Sequence, residues 1–459
     1  MADISVVGSG PAGLAFAARA AKAGHRVTVH ERAGRAGGAL RETRLGDDGA
    51  FRFDDGAADM LLPAALRDTF RKSGRPLERE VDLVPAQSRT FVDGGGTRLQ
   101  MPITGRGAQM QAVEQLAGAA AAAAWTATMD GLARRWDAVR HVVETQPRPP
   151  RLREFGLRNA RAAGLFGRLS ADLAALARVD GVGALLLAAA ARPVVAAGQR
   201  LQQAPSMFGA LTYLEHTLGR WRPVGGAGAL RDALLARLSL RGVDIHTEEP
   251  VSALIESGGR VTGVRTSAGD QAADIVVTAI APPQLRELLA AAQARPLRRL
   301  ASRLASLQPA PVPDRVYVGV HAHQAPATYE TVLLGSPMLV VRNPADPTAA
   351  PAGHTALTIE VHGSCRRDPL DELADRGLDL RAGVVVRHDE PAATWAAGTL
   401  VGATSTLRRL APVAGVAPGL ITVGRAAYLP AGLATEVLSA ALAAAEIDRT
   451  LADAPTTSA

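Results

Sequence analysis

The chain opens with a short apolar strand pattern, DISVV at 3–7. It breaks at GSGPAG and resumes as LAFAARAAKAG, whose small and apolar residues suit a helix packed against a sheet. Gly24 closes that helix, and RVTVHE at 26–31 restores strand alternation. Residues 3–31 therefore predict a β-α-β unit of the length a parallel crossover needs, the first half of a doubly wound α/β sheet. A second segment of the same texture predicts a helix over 227–240 and strands over 243–247, 251–256, 260–266 and 274–279. Between the two, residues 105–220 read as mostly helical and alanine-rich, broken by QPRPP at 146–150, where proline forbids a continuous helix. Strand patterns return in RVYVGVHAH, PMLVV and HTALTIEVHG within 312–362. The C-terminal stretch LITVGRAAYLPAGLATEVLSAALAAAE then reads as strand, turn and helix. Such alternation predicts two domains, each built from separated stretches of chain.

At 459 residues the chain exceeds the usual size of one hydrophobic core, so a large site between two core-bearing regions is expected. Residues 152–179 place Leu152, Phe155, Ala162, Phe166, Leu169, Leu173 and Leu176 on one helical stripe, with Arg153, Arg158, Arg161 and Arg168 mostly off it. Two readings stay open there: a helix resting on an anionic membrane surface, or one packed on its own protein with a solvated basic face. VGALLLAAAARPVVAAG at 182–198 is too short and too interrupted by Arg192 and Pro193 to span a bilayer. The net charge is +7, but the arginines are spread among 44 acids, so no nucleic-acid partner is expected. A single cysteine, Cys365, excludes an intramolecular disulfide and fits a reducing cytoplasm. The start MADISVVGSG has no basic segment before an apolar one, so no signal peptide is expected.

The chemistry begins at GSGPAG. Gly8 permits the tight turn, Gly10 lets a pyrophosphate approach the backbone, and Gly13 lets the helix that starts at Pro11 and Ala12 pack closely on its strand. Glu31 ends the second strand 18 positions after Gly13, where a carboxylate can accept hydrogen bonds from a ribose diol.

Behind Glu31 comes RAGRAGGALRE, with Arg32, Arg35, Gly37 and Gly38. It resembles the extended FAD motif of the phytoene desaturase and flavin amine oxidase superfamily. FRFDDGAADMLLP at 51–63, with Gly56, resembles the segment that follows in carotenoid desaturases. The stretch from RPVGGAGALRD to GGRVTGV is similar to the second FAD segment, which implies that the backbone at Val251 meets the adenine. ADPTAAPAGHTALTIEV at 345–361 resembles phytoene desaturases more than amine oxidases, and the C-terminal stretch resembles the segment that approaches the flavin ring. The resemblance implies a Rossmann-like FAD-binding domain drawn from 1–70, 220–290 and 395–459. It also implies an α+β substrate domain, rich in helices, drawn from 71–219 and 291–394. An apolar tunnel would end at the flavin, and the reaction would be C–C desaturation of a largely apolar small molecule by hydride transfer. Gly424, Arg425, Gly432, Leu433 and Ala434 are expected on the cofactor.

Departures from the family pattern single out Arg425, Tyr428 and Glu436 as candidate catalytic residues. Arg425 either stabilises an anionic reduced flavin or anchors a carboxylate end of the substrate, with Glu436 or Tyr428 handling a proton; alternatively, Arg425 and Glu436 simply pair and hold the turn. Amine oxidation on the same fold is the main competing reading. Such enzymes frame the flavin with aromatic side chains, and aromatics are 3% of this chain. A flavin-dependent isomerase or saturase of an apolar polyene keeps every motif. His321 and His323 share one side of a strand without a matching carboxylate motif, so no metal is expected. His30 is assigned to its strand rather than to catalysis.

Overall fold

The computed structural model describes the chain except for residues 57–58, 147–154, 428–431 and 453–459 and the side chains at 142 and 450–452. A five-stranded parallel sheet runs in the order Leu420–Thr422, Ile275–Thr278, Asp3–Val7, Arg26–His30, Asp244–His246. Its first strand is buried on both faces, with Ile4, Val6 and Val7 at most 5% exposed, as a parallel sheet covered on both sides requires. The crossover helix Pro11–Lys22 begins on a proline, which costs nothing where the N–H has no helical partner. Its alanines 15, 17 and 18 are fully buried. Side chains this small let the backbone approach the helices Leu433–Ala452, Gly226–Ser239 and Pro63–Ser73 that pack against it.

A seven-stranded sheet faces this unit, in the order Val384–Glu390, Asp314–His321, His354–His362, Met338–Arg342, Glu330–Leu333, Ser88–Val92, Arg98–Pro102. The pairing is antiparallel except between Glu330–Leu333 and Ser88–Val92. On one face Val316, Val318, Leu339, Val341, Leu357 and Ile359 form a core closed by Leu370 and Leu373 of the helix Pro369–Asp375. The other face turns toward the parallel sheet. A helical block covers one end, from Arg106–Thr145, broken at Gly118 (φ 82°), to Gly183–Ala196 and Gly209–Leu218. A three-stranded antiparallel sheet (Ala253–Ser257, Arg260–Thr266, Gly269–Ala272) flanks the parallel one.

The expected elements at 3–7, 227–240 and 260–266 appear within a residue or two, and the strand expected to begin at 251 begins at Ala253. The stretch 152–179 is a correction: it does not form one amphipathic helix. Its described part divides into Leu157–Ala162, Leu169–Asp172 and Ala174–Ala177. Gly164 takes a positive φ of 74°, and a Cβ there would lie 2.5 Å from Ser206 Cβ, so the chain turns where the stripe should have continued. Leu169, Leu173 and Leu176 are buried, whereas Phe166 is 61% exposed. Of QPRPP only Gln146 is described. Among the described residues no helix is long and apolar enough to cross a membrane.

Leu339→Ala removes a fully buried side chain from the face turned away from the parallel sheet. It should destabilise the fold by about 2–5 kcal/mol in urea unfolding while leaving the affinity for any ligand between the sheets unchanged.

Candidate functional site

The glycine loop is built as the spacing requires. Gly8 has φ 99°, and its N–H donates to the carbonyl of His30 at 2.8 Å. A Cβ on Gly13 would sit 2.1 Å from the Gly8 carbonyl oxygen, so helix and loop touch backbone to backbone. Gly10 differs: nothing lies within 4 Å of its would-be Cβ. The Glu31 carboxylate holds this loop to the end of the second strand. Its Oε2 accepts from the Ser9 N–H (2.9 Å) and hydroxyl (2.6 Å), and its Oε1 from the Ala33 N–H (2.9 Å). Gly37 follows at φ 131°, where a Cβ would strike Arg231, and a Cβ on Gly38 would meet the Gly10 backbone at 2.7 Å. His30 is buried, and desolvation lowers its pKa despite a 2.8 Å contact of Nδ1 with Glu249.

At the far end of the chain, Leu420–Thr422 leads into a tight turn at Gly424 (φ 74°), whose N–H donates to Ser439 Oγ at 2.8 Å. Arg425 Nε donates to Glu436 Oε1 at 3.1 Å and its Nη1 to the Trp395 carbonyl at 3.1 Å. The pairing that one of the two sequence readings offered is therefore formed. Glu436 sits in the first turn of Leu433–Ala452, where a carboxylate suits the positive end of the helix dipole. Tyr428 lies outside the described residues.

A cavity of about 830 Å³ joins the two ends. Of the residues singled out by sequence, Gly8, Gly10, Pro11, Glu31, Arg32, Gly38, Gly56, Val251, Arg425, Gly432, Leu433, Ala434 and Glu436 line it. Ala12, Gly13, Arg35, Gly37 and Gly424 do not, although a Cβ on Gly424 would meet that of Ala12 at 3.2 Å, which puts the C-terminal turn against the first helix. His321 lies against His354 with ring centroids 4.8 Å apart and the rings tilted by 35°, and no group of three or more metal-binding side chains forms among the described residues.

Sequence reading missed the opposite wall. On the inward face of the seven-stranded sheet, Arg315, Glu360, Arg342, Glu330 and Arg89 follow one another across five strands. Glu330 is the hub: it pairs with Arg89, with Arg192 at 2.9 Å and with Arg342 at 3.1 Å. Glu360 pairs with Arg192 (3.2 Å), Arg342 (3.1 Å) and His362 (3.3 Å). Arg89 continues to Glu215, which also holds Arg220, and Arg220 reaches Asp59 at 3.2 Å. Burial opposes ionisation of Glu215, but Arg220 and Arg89 outweigh it and hold its pKa down to about 2. Glu330 likewise stays well below the carboxylate range, burial being outweighed by Arg192, Arg89 and Arg342. Asp59, Arg220, Arg315, Arg342, Glu360 and His362 all line the cavity. The only trace in sequence is a charged residue set into each of several otherwise apolar strands, as Glu360 in TIEVH.

Residues 11–382 match the family model described as flavin containing amine oxidoreductase. The chain belongs to that family. The phytoene dehydrogenase of Streptomyces griseus is 31% identical over 306 residues, which cover 64% of this chain and 57% of that protein. The all-trans-zeta-carotene desaturase of Myxococcus xanthus is 27% identical over 405 residues, 80% of this chain and 73% of the other. The solved cyclohexylamine oxidase of Brevibacterium oxydans shares the fold, with a TM-score of 0.64, 15% identity and coverage of 98% and 99%.

FAD is the cofactor that membership of this flavin-containing family brings, and the residues present fit it. A bare Gly10 opens on the cavity at the start of a helix, where diphosphate binds well. Glu31 lies at the strand end with oxygen lone pairs left for a ribose diol. The N-terminus of Leu433–Ala452 opens on the same cavity.

Two expectations follow. Gly10→Ala adds a methyl group in open space at an ordinary φ of −67°. It should therefore fold normally yet bind FAD at least about tenfold more weakly in apoprotein titrations, because backbone approach to diphosphate is blocked. Glu330→Ala should destabilise by about 3–5 kcal/mol, since it leaves buried guanidiniums without a counterion. Lowered carboxylate pKa values mean that the network's stabilisation is full above the unfolded value and is lost on acidification. For Glu215 the window runs from the ordinary 4.5 down to about 2. Thermal unfolding across that range should show a falling midpoint in the wild type.

Proposed function

We propose that this protein is an FAD-dependent dehydrogenase that desaturates a C–C bond of a largely apolar, polyene-like small molecule. The observation that carries the reading is the single cavity linking the dinucleotide loop to the Arg425 turn. Part of its wall, formed by Val195, Ala196, Leu211 and Leu214, is apolar. Trp395 is the only Phe, Tyr or Trp among the described residues of that wall, which speaks against the aromatic frame expected for amine oxidation. The names of the Streptomyces and Myxococcus relatives support the same reading.

FAD, which the Gly8–Gly13 loop and Glu31 would hold, would supply the hydride acceptor for one substrate carbon while the neighbouring carbon loses a proton, and a new double bond would be left between them. Arg425 and the N-terminus of Leu433–Ala452 bring positive charge to the place where negative charge develops. Glu436 is already paired with Arg425, and its part is to orient that guanidinium. His362 opens on the cavity with Nε2 toward Glu360, and we assign the departing proton to its other ring nitrogen.

A cytoplasmic setting belongs to this reading and is supported by the lone thiol of Cys365. Contact with a membrane surface is also part of it, now through Leu157 and Phe166, which stand exposed among Arg158, Arg161 and Arg168.

Anaerobic mixing of the FAD-loaded protein with polyenes and with primary amines tests the reaction class. Polyenes should bleach the flavin and amines should not, and the opposite pattern would overturn the proposal. Arg425→Ala should keep bound FAD and slow its reduction by about 10²-fold or more.

A further inference from the structure

A pure hydrocarbon would fit this cavity poorly. One wall is the charged stripe, and its hydrogen-bonding capacity is unevenly spent. Four of its carboxylates receive at least two donors each: Glu330 from three arginines, Glu360 from Arg192, Arg342 and His362, Glu215 from Arg89 and Arg220, and Asp59 from Arg220 and the Tyr329 hydroxyl. The guanidiniums have donors to spare. Arg89 Nη2 and Arg192 Nη1 are buried without an acceptor. Among the described residues Arg342 bonds through Nε and Nη2, which leaves Nη1 unspent in a side chain 24% open and lining the cavity. Arg315, beyond Glu360 on the stripe, two strands from Arg342, and also on the cavity, forms no ion pair among the described residues; its Nη1 goes to the backbone carbonyl of Asp55 at 2.7 Å.

What is missing from such a wall is an acceptor, and the fork geometry of guanidinium matches a carboxylate best. We propose that the substrate is an apolar acid whose carboxylate docks on Arg342 and Arg315, with its chain along the wall formed by Pro193, Val195, Leu211 and Leu214. This inference rests on the desaturation reading for the polyene character of the chain, and it moves the anchoring role from Arg425, whose Nε and Nη1 are taken by Glu436 and Trp395, to the sheet. Asp55 Oδ1 also lacks a partner at this wall, so a hydroxyl or an ammonium is the competing end group.

The test uses the FAD-loaded protein in the oxidised state. It is titrated with retinoic acid, retinol, retinylamine and the parent hydrocarbon, and binding is read from the shift in flavin absorbance. The acid should bind at least about tenfold more tightly than the other three. Arg342→Met should erase that preference and Arg342→Lys should retain part of it. Because Arg342→Met also uncovers Glu330 and Glu360, Arg315→Met serves as the second variant, weakening the acid and sparing the hydrocarbon. Equal affinities, a lead for the alcohol or the amine, or a full acid preference in both folded methionine variants would overturn the proposal. Flavin bleaching by the hydrocarbon without any acid preference sinks this inference and leaves desaturation standing. Tight acid binding without anaerobic bleaching by any of the four upholds the carboxylate site and sinks desaturation.

Discussion

The desolvation of charge between the two sheets is the constraint on which the rest of the molecule turns. A carboxylate as buried as Glu330, at 1% exposure, would be prohibitive alone. It is tolerable because guanidiniums converge on it from three elements that only the folded chain brings together: the neighbouring strands through Arg89 and Arg342, and the helix Gly183–Ala196 through Arg192. The helical block is thus joined to the sheet by charge as well as by apolar contact. A slipped register would separate ions as well as misplace side chains, a penalty far steeper than one lost van der Waals contact. The arrangement specifies position more than it adds net stability.

The opposite wall follows a different logic. Around the glycine loop, function comes from atoms that are not there: a Cβ is excluded at Gly13 by backbone contact and left out at Gly10 where there is room for one. The same parsimony explains the alanines of Pro11–Lys22, which let three helices close on one. The cavity therefore has one wall of backbone and small groups and one of ions, with the Arg425–Glu436 pair at the join.

These two walls were unequally legible in the sequence. Strand, glycine turn, helix and Glu31 lie within 31 consecutive residues, and their relation is set by local geometry and spacing. The C-terminal turn was legible for the same reason, including its ion pair, whose members are eleven positions apart. The stripe was not. Arg89 and Glu330 are 241 positions apart, and nothing local marks them as partners. The stretch 152–179 failed in the other direction. Its apolar period was real, since Leu169, Leu173 and Leu176 are buried, but glycines at 156, 164 and 167 let the chain turn back onto Ser206.

The order of strands in the parallel sheet bears on how the protein comes into being. Its central strand, Asp3–Val7, is made more than 400 positions before the outer strand Leu420–Thr422 and the turn that follows it. At roughly 5–20 residues per second, on the order of 20 to 80 s separate the two during synthesis. The cavity lacks its Arg425 end throughout that interval, and the strand Ile275–Thr278 has an open edge for the last third of it. The nascent chain can hold its nucleotide loop long before the Arg425 turn closes the cavity, so any chemistry that needs both ends waits until the residues beyond 420 have been made.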